Sequence, residues 1–344
     1  MIFSNNISLK KLNTFGINVK CKLFYEINNK GNLKELIKTN QFKQNNYLIL
    51  GGGSNILFTE DYDGLIIKNE IRGIDIIDED DETKKIKVGA GENWHQFVLW
   101  TIKNELSGIE NLALIPGNVG ASPIQNIGAY GVEVKDFIDK VWTINLKNGK
   151  EKIFTNSECK FKYRDSIFKN ELKDQYIILY VSFKLSKLPM LNTKYKDINS
   201  ELLSLSLEKS TKNICNAVIN IRKRKLPDPK KIGNSGSFFK NPVIEKEKFE
   251  YLKKIYPNII GYKISSTEIK LAAGWLIDQC GWKGYRYKDA GVHKNQALVL
   301  VNYGEATGRE IINLAEKIQN SVKKKFDVNI YPEVNIIGWI NLKS

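Results

Sequence analysis

Three short stretches carry residue types that can do chemistry. GNSGSFFKNP, 233 to 242, sets one hydroxyl, Ser237, between a glycine and two phenylalanines, and closes on a lysine, an asparagine and a proline. It reads either as a water-poor turn that holds a hydroxyl for use, or as a loop entering a strand. In the second reading Gly236 permits the turn, Phe238 or Phe239 anchors it and Pro242 stops the pairing. In KYRD, 162 to 165, a phenol, a guanidinium and a carboxylate stand together; Arg164 can clamp a carboxylate with two hydrogen bonds, or pair with Asp165 or another acid. YPEVNIIG, 331 to 338, puts Glu333 in an otherwise apolar strand, where alternation favours the exposed face over a carboxylate held for use.

Two glycine-rich blocks offer backbone rather than side chains. GGGSN, 51 to 55, lies between the strand-like runs YLIL (47 to 50) and GLIIKN (64 to 69). A dinucleotide loop of the Rossmann type needs a helix directly after its glycines, and a parallel crossover needs a dozen residues or more. There is no room here for either, and Ile56 replaces the third glycine of the motif. What is left is a strand-turn-strand arrangement: a nest in which Gly51 to Asn55 present N–H groups to an anion, or a structural turn. The second block, PGNVGASPIQNIGAYGVEV at 116 to 134, has glycines at 117, 120, 128 and 131 and the amides of Gln125 and Asn126. Its backbone and amides can line a planar polar ligand, or the block can be an irregularly packed turn. Both blocks follow strand-like runs, IKVGAG (86 to 91) preceding the second, which points to a cofactor cradle.

The elements that must position these groups are legible in outline. GENWHQFVLWTIKNELSG, 91 to 108, has Trp94, Phe97, Val98 and Ile102 at helical spacing, a core face; His95 in it is either a partly exposed histidine at a helix start or a flavin tether or ligand. ICNAVINIRKRK, 214 to 225, reads as a helix running into LPDPKK, where Pro227 and Pro229 mark a domain boundary. Beyond it come a helical pattern at 270 to 282, a strand at 297 to 302, and an amphipathic helix on Ile311, Leu314, Ile318 and Val322. That last helix opens with a Thr307/Glu310 capping box and ends in Lys323 to Lys325.

The 344 residues are 42% hydrophobic, enough for two or three domains with real cores. The net charge of +15 could serve a nucleic acid, but Lys, Asn and Ile crowd the whole chain, RKRK at 222 to 225 is local, and no aromatic and basic stripe forms a known binding module. A phosphate-bearing small substrate would also use the charge. Cys21, Cys159, Cys215 and Cys280 lie far apart, with two histidines in the chain, so neither a metal site nor a disulfide framework is expected and a reducing compartment fits. No charged start followed by an apolar run occurs near Met1, and LAAGWLI at 271 to 277 is too short to span a membrane, so a soluble, cytoplasmic protein is expected.

Read in order, NTFG (13 to 16), LGGGSNIL (50 to 57), ENLALIPGNVGASPIQNIGAYGVEV (110 to 134), YRDS (163 to 166), KLPDPKKIGNSGSFFKNPV (225 to 243), LAAGWLIDQCGWKG (271 to 284) and YPEVNIIG (331 to 338) resemble the UDP-N-acetylenolpyruvoylglucosamine reductase family over nearly the whole chain. LNTKYKDI, 191 to 198, looks like the family type with a tyrosine lid, here Tyr195. The resemblance implies an α+β protein: a two-part FAD-binding domain of the vanillyl-alcohol-oxidase (PCMH) type plus a separate α+β substrate domain. The expected division is 1–70 and 71–226 with 327–344 for FAD, and 227–326 for substrate. It implies a cytoplasmic, monomeric enzyme with noncovalent FAD, reduced by NADPH, that converts UDP-N-acetylglucosamine enolpyruvate to UDP-N-acetylmuramate for peptidoglycan.

By motif position Ser237 would be the proton donor, with Arg164 and Glu333 assisting. Gly51, Gly52, Gly53, Ser54, Asn55, Pro116, Gly117, Gly120, Ser122, Gln125, Asn126, Gly128, Ala129 and Gly131 would hold FAD. Tyr163, Tyr195, Lys225, Asn241, Tyr262, Lys270, Lys283 and Gln296 would contact the sugar nucleotide. Asn335 departs from the pattern, which has a basic residue two after the glutamate. The chemistry agrees: a guanidinium pairing the carboxylate stabilises charge that builds up beside it, and a neutral serine suffices as acid toward a carbanion. The alternatives are another FAD oxidoreductase of this fold, tethered through His95, Cys21 or Cys159, and a basic nucleic-acid-binding protein without a chromophore.

Overall fold

The computed structural model describes residues 2–338. The chain forms two compact units. The first comprises Met1–Asn6, Lys22–Gly52 and Asp63–Arg224, the second Ile7–Cys21, Gly53–Tyr62 and Lys225–Ser344.

In the first unit, β1 (Ser4–Ser8), β2 (Lys20–Ile27), β3 (Tyr47–Leu50) and β5 (Tyr62–Asn69) make a four-stranded sheet in the order β1-β2-β5-β3, with α1 (Lys30–Leu36) and α2 (Asn40–Gln44) between β2 and β3. Leu65 and Ile67 of β5 pack with Leu33, Leu36 and Phe42 of the two helices. β3 and β5 are parallel, Tyr47 opposite Leu65, although the sequence seemed to leave no room for such a crossover. The connection needs no helix: residues 51–61 run through the turn at 51–55 and the short strand β4 (Ile56–Phe58), whose extended residues each cover more than twice the distance of helical ones.

A second sheet, in the order β11-β10-β12-β7-β6, is built from β6 (Ile74–Glu79), β7 (Thr83–Gly89), β10 (Ile138–Asn145), β11 (Glu151–Thr155) and β12 (Tyr176–Ser186), all antiparallel. α3 is Trp94–Lys103, shorter than its sequence pattern, and lays Trp94 and Phe97 on Phe183 of β12 at ring distances of 5.9 and 5.0 Å. The two-residue strands β8 (Gly128–Ala129) and β9 (Val132–Glu133) form a hairpin inside the second glycine-rich block. α4 (Lys196–Ser204) follows Tyr195, and α5 (Thr211–Lys225) closes the unit with Ile214, Val218 and Ile221 buried.

In the second unit, β13 (Gly233–Asn234), β17 (Arg286–Tyr287), β18 (Ala290–Val292) and β19 (Leu300–Asn302) form one sheet, and β14 (Val243–Glu245), β15 (Gly261–Lys263) and β16 (Glu268–Leu271) another. α6 (Lys246–Ile255) and α7 (Ala273–Gln279) accompany them. α8 (Gly308–Phe326) has the expected Thr307/Glu310 capping box, buries Ile311, Leu314, Ile318 and Val322, and seats Phe326 on Tyr256 and Trp275. β20 (Asn335–Ile337) pairs in parallel with β4, Asn335 opposite Ile56. This corrects the expected division, which joined 327–344 to 71–226: the described part of that segment belongs with 53–62, because β4 offers it a parallel edge. Among the described residues no helix is long and apolar enough to cross a membrane.

Candidate active site

The first unit brings the two glycine-rich blocks into backbone contact. A Cβ on Gly52 would lie 2.8 Å from Gly117 Cα, so only glycine allows this approach. The start of the second block is sewn to the β7–α3 connection: Trp94 N donates to Gly117 O, Val119 N to Glu92 O and Gly120 N to Ala90 O, at 2.8 to 3.0 Å. A Cβ on Gly120 would meet Ala90 Cβ at 2.5 Å, so Gly120 serves close packing. Gly51, Gly117, Gln125, Gly128 and Ala129 are half-buried, and Pro116 and Gly131 exposed; their surfaces are reachable by a ligand.

Ser122 and Asn126 are placed differently from the expectation that they line a ligand. Both are buried, Ser122 Oγ donating to Val119 O at 2.7 Å. Asn126 Nδ2 donates to Lys162 O and to the Glu133 carboxylate, while its Oδ1 accepts from Lys135 N at 3.1 Å. They shape the block from inside.

Arg164 sits at the tip of the tight Lys162–Asp165 turn, at φ 53°. Its guanidinium donates to the carbonyls of Asn126, at 3.4 Å, and Gly128. Those bonds orient it on the glycine-rich block, next to the exposed ring of Tyr163 at 5.4 Å. The Asp165 carboxylate accepts from Asn170 at 2.8 Å. Tyr195, exposed, meets the ring of Tyr130 edge-on at 5.2 Å. Tyr130 and Gly131 occupy the two-residue tip of the β8–β9 hairpin with φ of 50° and 79°, the left-handed pair such a tip demands.

Sequence reasoning missed Arg222. It is half-buried, donates through Nε to Leu114 O at 3.3 Å, and bonds to the side chain of Tyr130. Burial, then the charge of Arg164, pull its pKa down, and Tyr130 opposes this. In the sequence it lay inside RKRK, but it follows buried Ile221 and stands four after buried Val218, so helical spacing turns it inward while Lys223 and Arg224 stay exposed. His95 is held by structure, its Nδ1 accepting from Leu114 N at 3.0 Å, with burial and then Arg222 and Lys223 lowering its pKa.

The second unit brings Ser237 and Glu333 onto paired backbone. Glu333 N donates to Phe238 O at 2.7 Å, Lys240 N donates to Tyr331 O at 2.9 Å, and Phe239 bridges Pro332. Asn55 Nδ2 donates to Glu333 O at 3.2 Å, while Asn55 O accepts from Asn335 N and Nδ2, each at 3.1 Å. GGGSN is thus divided: Gly51 and Gly52 belong to the first unit, Gly53 (φ 60°), Ser54 and Asn55 to the second. Asn335 fastens Asn55 where the family pattern has a basic residue. Ser237 is exposed and follows Gly236 at φ 69°. Phe238 and Phe239 are fully buried under it, so they anchor the strand rather than wall off a dry space around the hydroxyl. Glu333 is half-buried rather than out on an exposed face.

The other expected substrate contacts have partners of their own. Asn241 Oδ1 accepts from Ala273 N at 3.0 Å, at the start of α7, and Gln296 Oε1 accepts from Leu298 N two residues on. Leu298 O accepts from Phe238 N at 2.8 Å. Tyr262 and Lys270 are cross-strand partners, Lys283 pairs with Asp278 at 3.1 Å, and Lys225 is the last residue of α5.

The residues present fit FAD: bare backbone at Gly51, Gly52 and Gly117, a half-exposed Gly128–Ala129 strand and a half-buried cation in Arg222 suit a planar, phosphate-bearing ligand. The comparisons agree. A family described as "FAD binding domain" matches residues 22–154, and one described as "UDP-N-acetylenolpyruvoylglucosamine reductase, C-terminal domain" matches 228–337. The UDP-N-acetylenolpyruvoylglucosamine reductase of Flavobacterium johnsoniae is 52% identical over 98% of this chain and 100% of its own, and that of Chromobacterium violaceum 46% over 97% and 99%. The solved UDP-N-acetylenolpyruvylglucosamine reductase of Thermus caldophilus has the same fold, with a TM-score of 0.68 at 22% identity over 97% of this chain and 99% of that one. A glycine-built cradle in one unit, a serine and glutamate on paired strands in the other, and identity of this extent over whole chains lead to one conclusion: the chain belongs to the UDP-N-acetylenolpyruvoylglucosamine reductase family.

Proposed function

We propose that this FAD enzyme takes reducing equivalents from NADPH and reduces the enolpyruvyl ether of UDP-N-acetylglucosamine to the lactyl ether of UDP-N-acetylmuramate. The observation that carries the residue roles is the 2.7 Å bond from Glu333 N to Phe238 O, which seats the serine and the glutamate on neighbouring backbone. Gly51 to Asn55 and Pro116, Gly117, Gln125, Gly128, Ala129 and Gly131 would hold FAD, which would supply hydride transfer between the two substrates.

Arg164, braced on the carbonyls of Asn126 and Gly128, holds the substrate carboxylate and stabilises the negative charge that develops beside it. Ser237 Oγ gives its proton to C2. Because the side chain is exposed, its hydroxyl is replenished from solvent. Glu333 steadies the enol-like charge distribution and the proton delivery. Lys225 and Lys283 take the diphosphate; Tyr163, Asn241, Tyr262, Lys270 and Gln296 contact the rest of the sugar nucleotide, and Tyr195 closes over it. The same reading makes the enzyme cytoplasmic, since both its substrates are cytoplasmic nucleotides; that it is a monomer without a nucleic-acid partner is carried over with the family resemblance.

The test is optical. Purified protein should carry a flavin absorption band that acid precipitation releases completely. NADPH should bleach the band, and UDP-N-acetylglucosamine enolpyruvate should restore it. Colourless protein, or a band that enolpyruvyl substrate leaves bleached, refutes the reading.

A further inference from the structure

In the first unit, two consecutive residues of a buried turn hold the segment that carries Tyr195. Glu110–Leu112 is a single 3-10 turn with all three residues buried. Glu110 accepts from Gly108 N at 2.6 Å and from Ser107 Oγ at 3.2 Å, and Ser107 Oγ accepts in turn from Met190 N at 2.8 Å. Asn111 Nδ2 donates to two carbonyls at once, Tyr130 O at 3.1 Å and Asn192 O at 3.0 Å. Asn192 Nδ2 adds a bond to Gly131 O at 3.3 Å. The chain before Tyr195 is therefore tied at Met190 and again at Asn192. The second tie runs to the tip of the β8–β9 hairpin, the part on which the Tyr195 ring rests.

Two observations set the second tie apart from ordinary packing. Asn111 Oδ1 is buried and has no hydrogen-bond partner among the described residues. A leucine there would leave no orphaned acceptor, so the amide earns its place through what Nδ2 joins. What it joins are carbonyls of two separate loops, one on each side of the Tyr130–Tyr195 contact. Tyr130 is a bulky residue in the left-handed region, a conformation that persists only where its surroundings fix it. Asn111 fixes its carbonyl and Arg222 its side chain.

We propose that Asn111 is a positioning residue, a double donor that sets the seat of Tyr195 on Tyr130, with Met190 the fixed end of the moving segment and Leu191 its hinge. Lifting Tyr195 together with Asn192 breaks the bonds from Asn111 and to Gly131, and leaves the Glu110–Ser107–Met190 chain intact. This rests on the reading of Tyr195 as a lid over the sugar nucleotide.

The test compares FAD-loaded wild type, Asn111→Leu and Asn111→Asp by limited proteolysis of 187–200, with and without UDP-N-acetylglucosamine enolpyruvate, and by steady-state kinetics. Both variants lose the donors. Free variants should be cut about fivefold faster than free wild type, the scale of one lost hydrogen bond. Their KM for the sugar nucleotide should rise about tenfold with kcat within about twofold. Cutting and KM like wild type overturn the proposal, as does a fall in kcat and thermal midpoint with unchanged cutting, the mark of a merely structural amide. Should both variants fail to fold, Asn111→Ala, which removes both donors without adding bulk or charge, decides by the same readouts. Wild type cut equally with and without substrate sinks the lid reading and the proposal with it; protected wild type with unaltered variants sinks Asn111 alone.

Discussion

Replacing Ser237 by alanine separates chemistry from structure unusually well in this fold. Ser237 is exposed, and among the described residues its hydroxyl makes no hydrogen bond; its position comes from Gly236, from the buried rings of Phe238 and Phe239 and from the main-chain bonds of Phe238. Removing Oγ should therefore change stability by no more than about 0.5 kcal/mol, the range of an exposed substitution. Its chemical effect should be much larger. A positioned general acid contributes roughly 10² to 10⁴ in rate, so re-oxidation of the reduced enzyme by the enolpyruvyl substrate should slow by at least ~10³, about 4 kcal/mol. Reduction by NADPH needs no proton from Ser237 and should stay within a few-fold of wild type. Stopped-flow traces at the flavin band, taken separately for each substrate, measure both steps, and urea melts check the stability. Equal slowing of the two steps, or no slowing of either, would show that the serine is only part of a loop.

Three further outcomes are expected. Lys225→Ala should raise the apparent KM for the sugar nucleotide about tenfold, near 1.4 kcal/mol, through loss of one charge-assisted contact; a constant unchanged across a salt series counts against it. Gly52→Ala forces a Cβ to within 2.8 Å of Gly117 Cα, so the blocks must part at a cost of about 1 to 3 kcal/mol, and FAD should bind at least ~10-fold more weakly by flavin fluorescence titration. Undiminished FAD affinity would show that the approach of the two turns is incidental. Glu110 has its pKa raised, by burial first, with the Gly108 and Ser107 bonds opposing. A carboxyl whose folded pKa lies above its unfolded one contributes stability below the unfolded value and loses it as pH rises through the folded value. In Glu110→Gln that loss is gone, so the stability of the variant relative to wild type should climb with pH across that window and level off above it. A difference independent of pH in urea melts from pH 4 to 8 would contradict the assignment.

The motifs that carry the candidate residues were legible because glycine, serine and proline punctuate the chain around them. What local pattern does not carry is pairing across long separations. Asn55 and Glu333 are bonded although 278 residues apart, and nothing in GGGSN or YPEVNIIG announces the other. The same limit misplaced residues 327–338: NIIG reads as strand without naming its partner, and pairing with β4 decides where it lies. Asn126 was read as a ligand-facing amide because polar residues in glycine-rich loops often are. In the fold, at φ 44°, its side chain bonds the Glu133 carboxylate, the carbonyl of Lys162 and the amide of Lys135, tying the block to the neighbouring Lys162–Asp165 turn. Arg222 was hidden for the opposite reason, in a run of like charges where only the position of each residue on α5 distinguishes the half-buried guanidinium from its exposed neighbours.

The way Ser237 is held also bears on the proposal that a serine serves as the acid. A hydroxyl that must give up a proton in each cycle and regain it has to rotate and exchange with solvent, and strong side-chain partners would hold it in one orientation. Here the strand does the positioning. Asn234 Oδ1 accepts from Gly236 N at 2.9 Å, Leu298 O accepts from Phe238 N, and Phe238 O accepts from Glu333 N, so residues on both sides of Ser237 are fixed through main-chain groups. Glu333 is fixed in the same manner, its amide on Phe238 and its carbonyl on Asn55. The two residues are held through their backbones, and among the described residues no hydrogen bond engages Ser237 Oγ; under the proposed role this leaves the serine proton available to a base far stronger than water and makes a lowered pKa unnecessary.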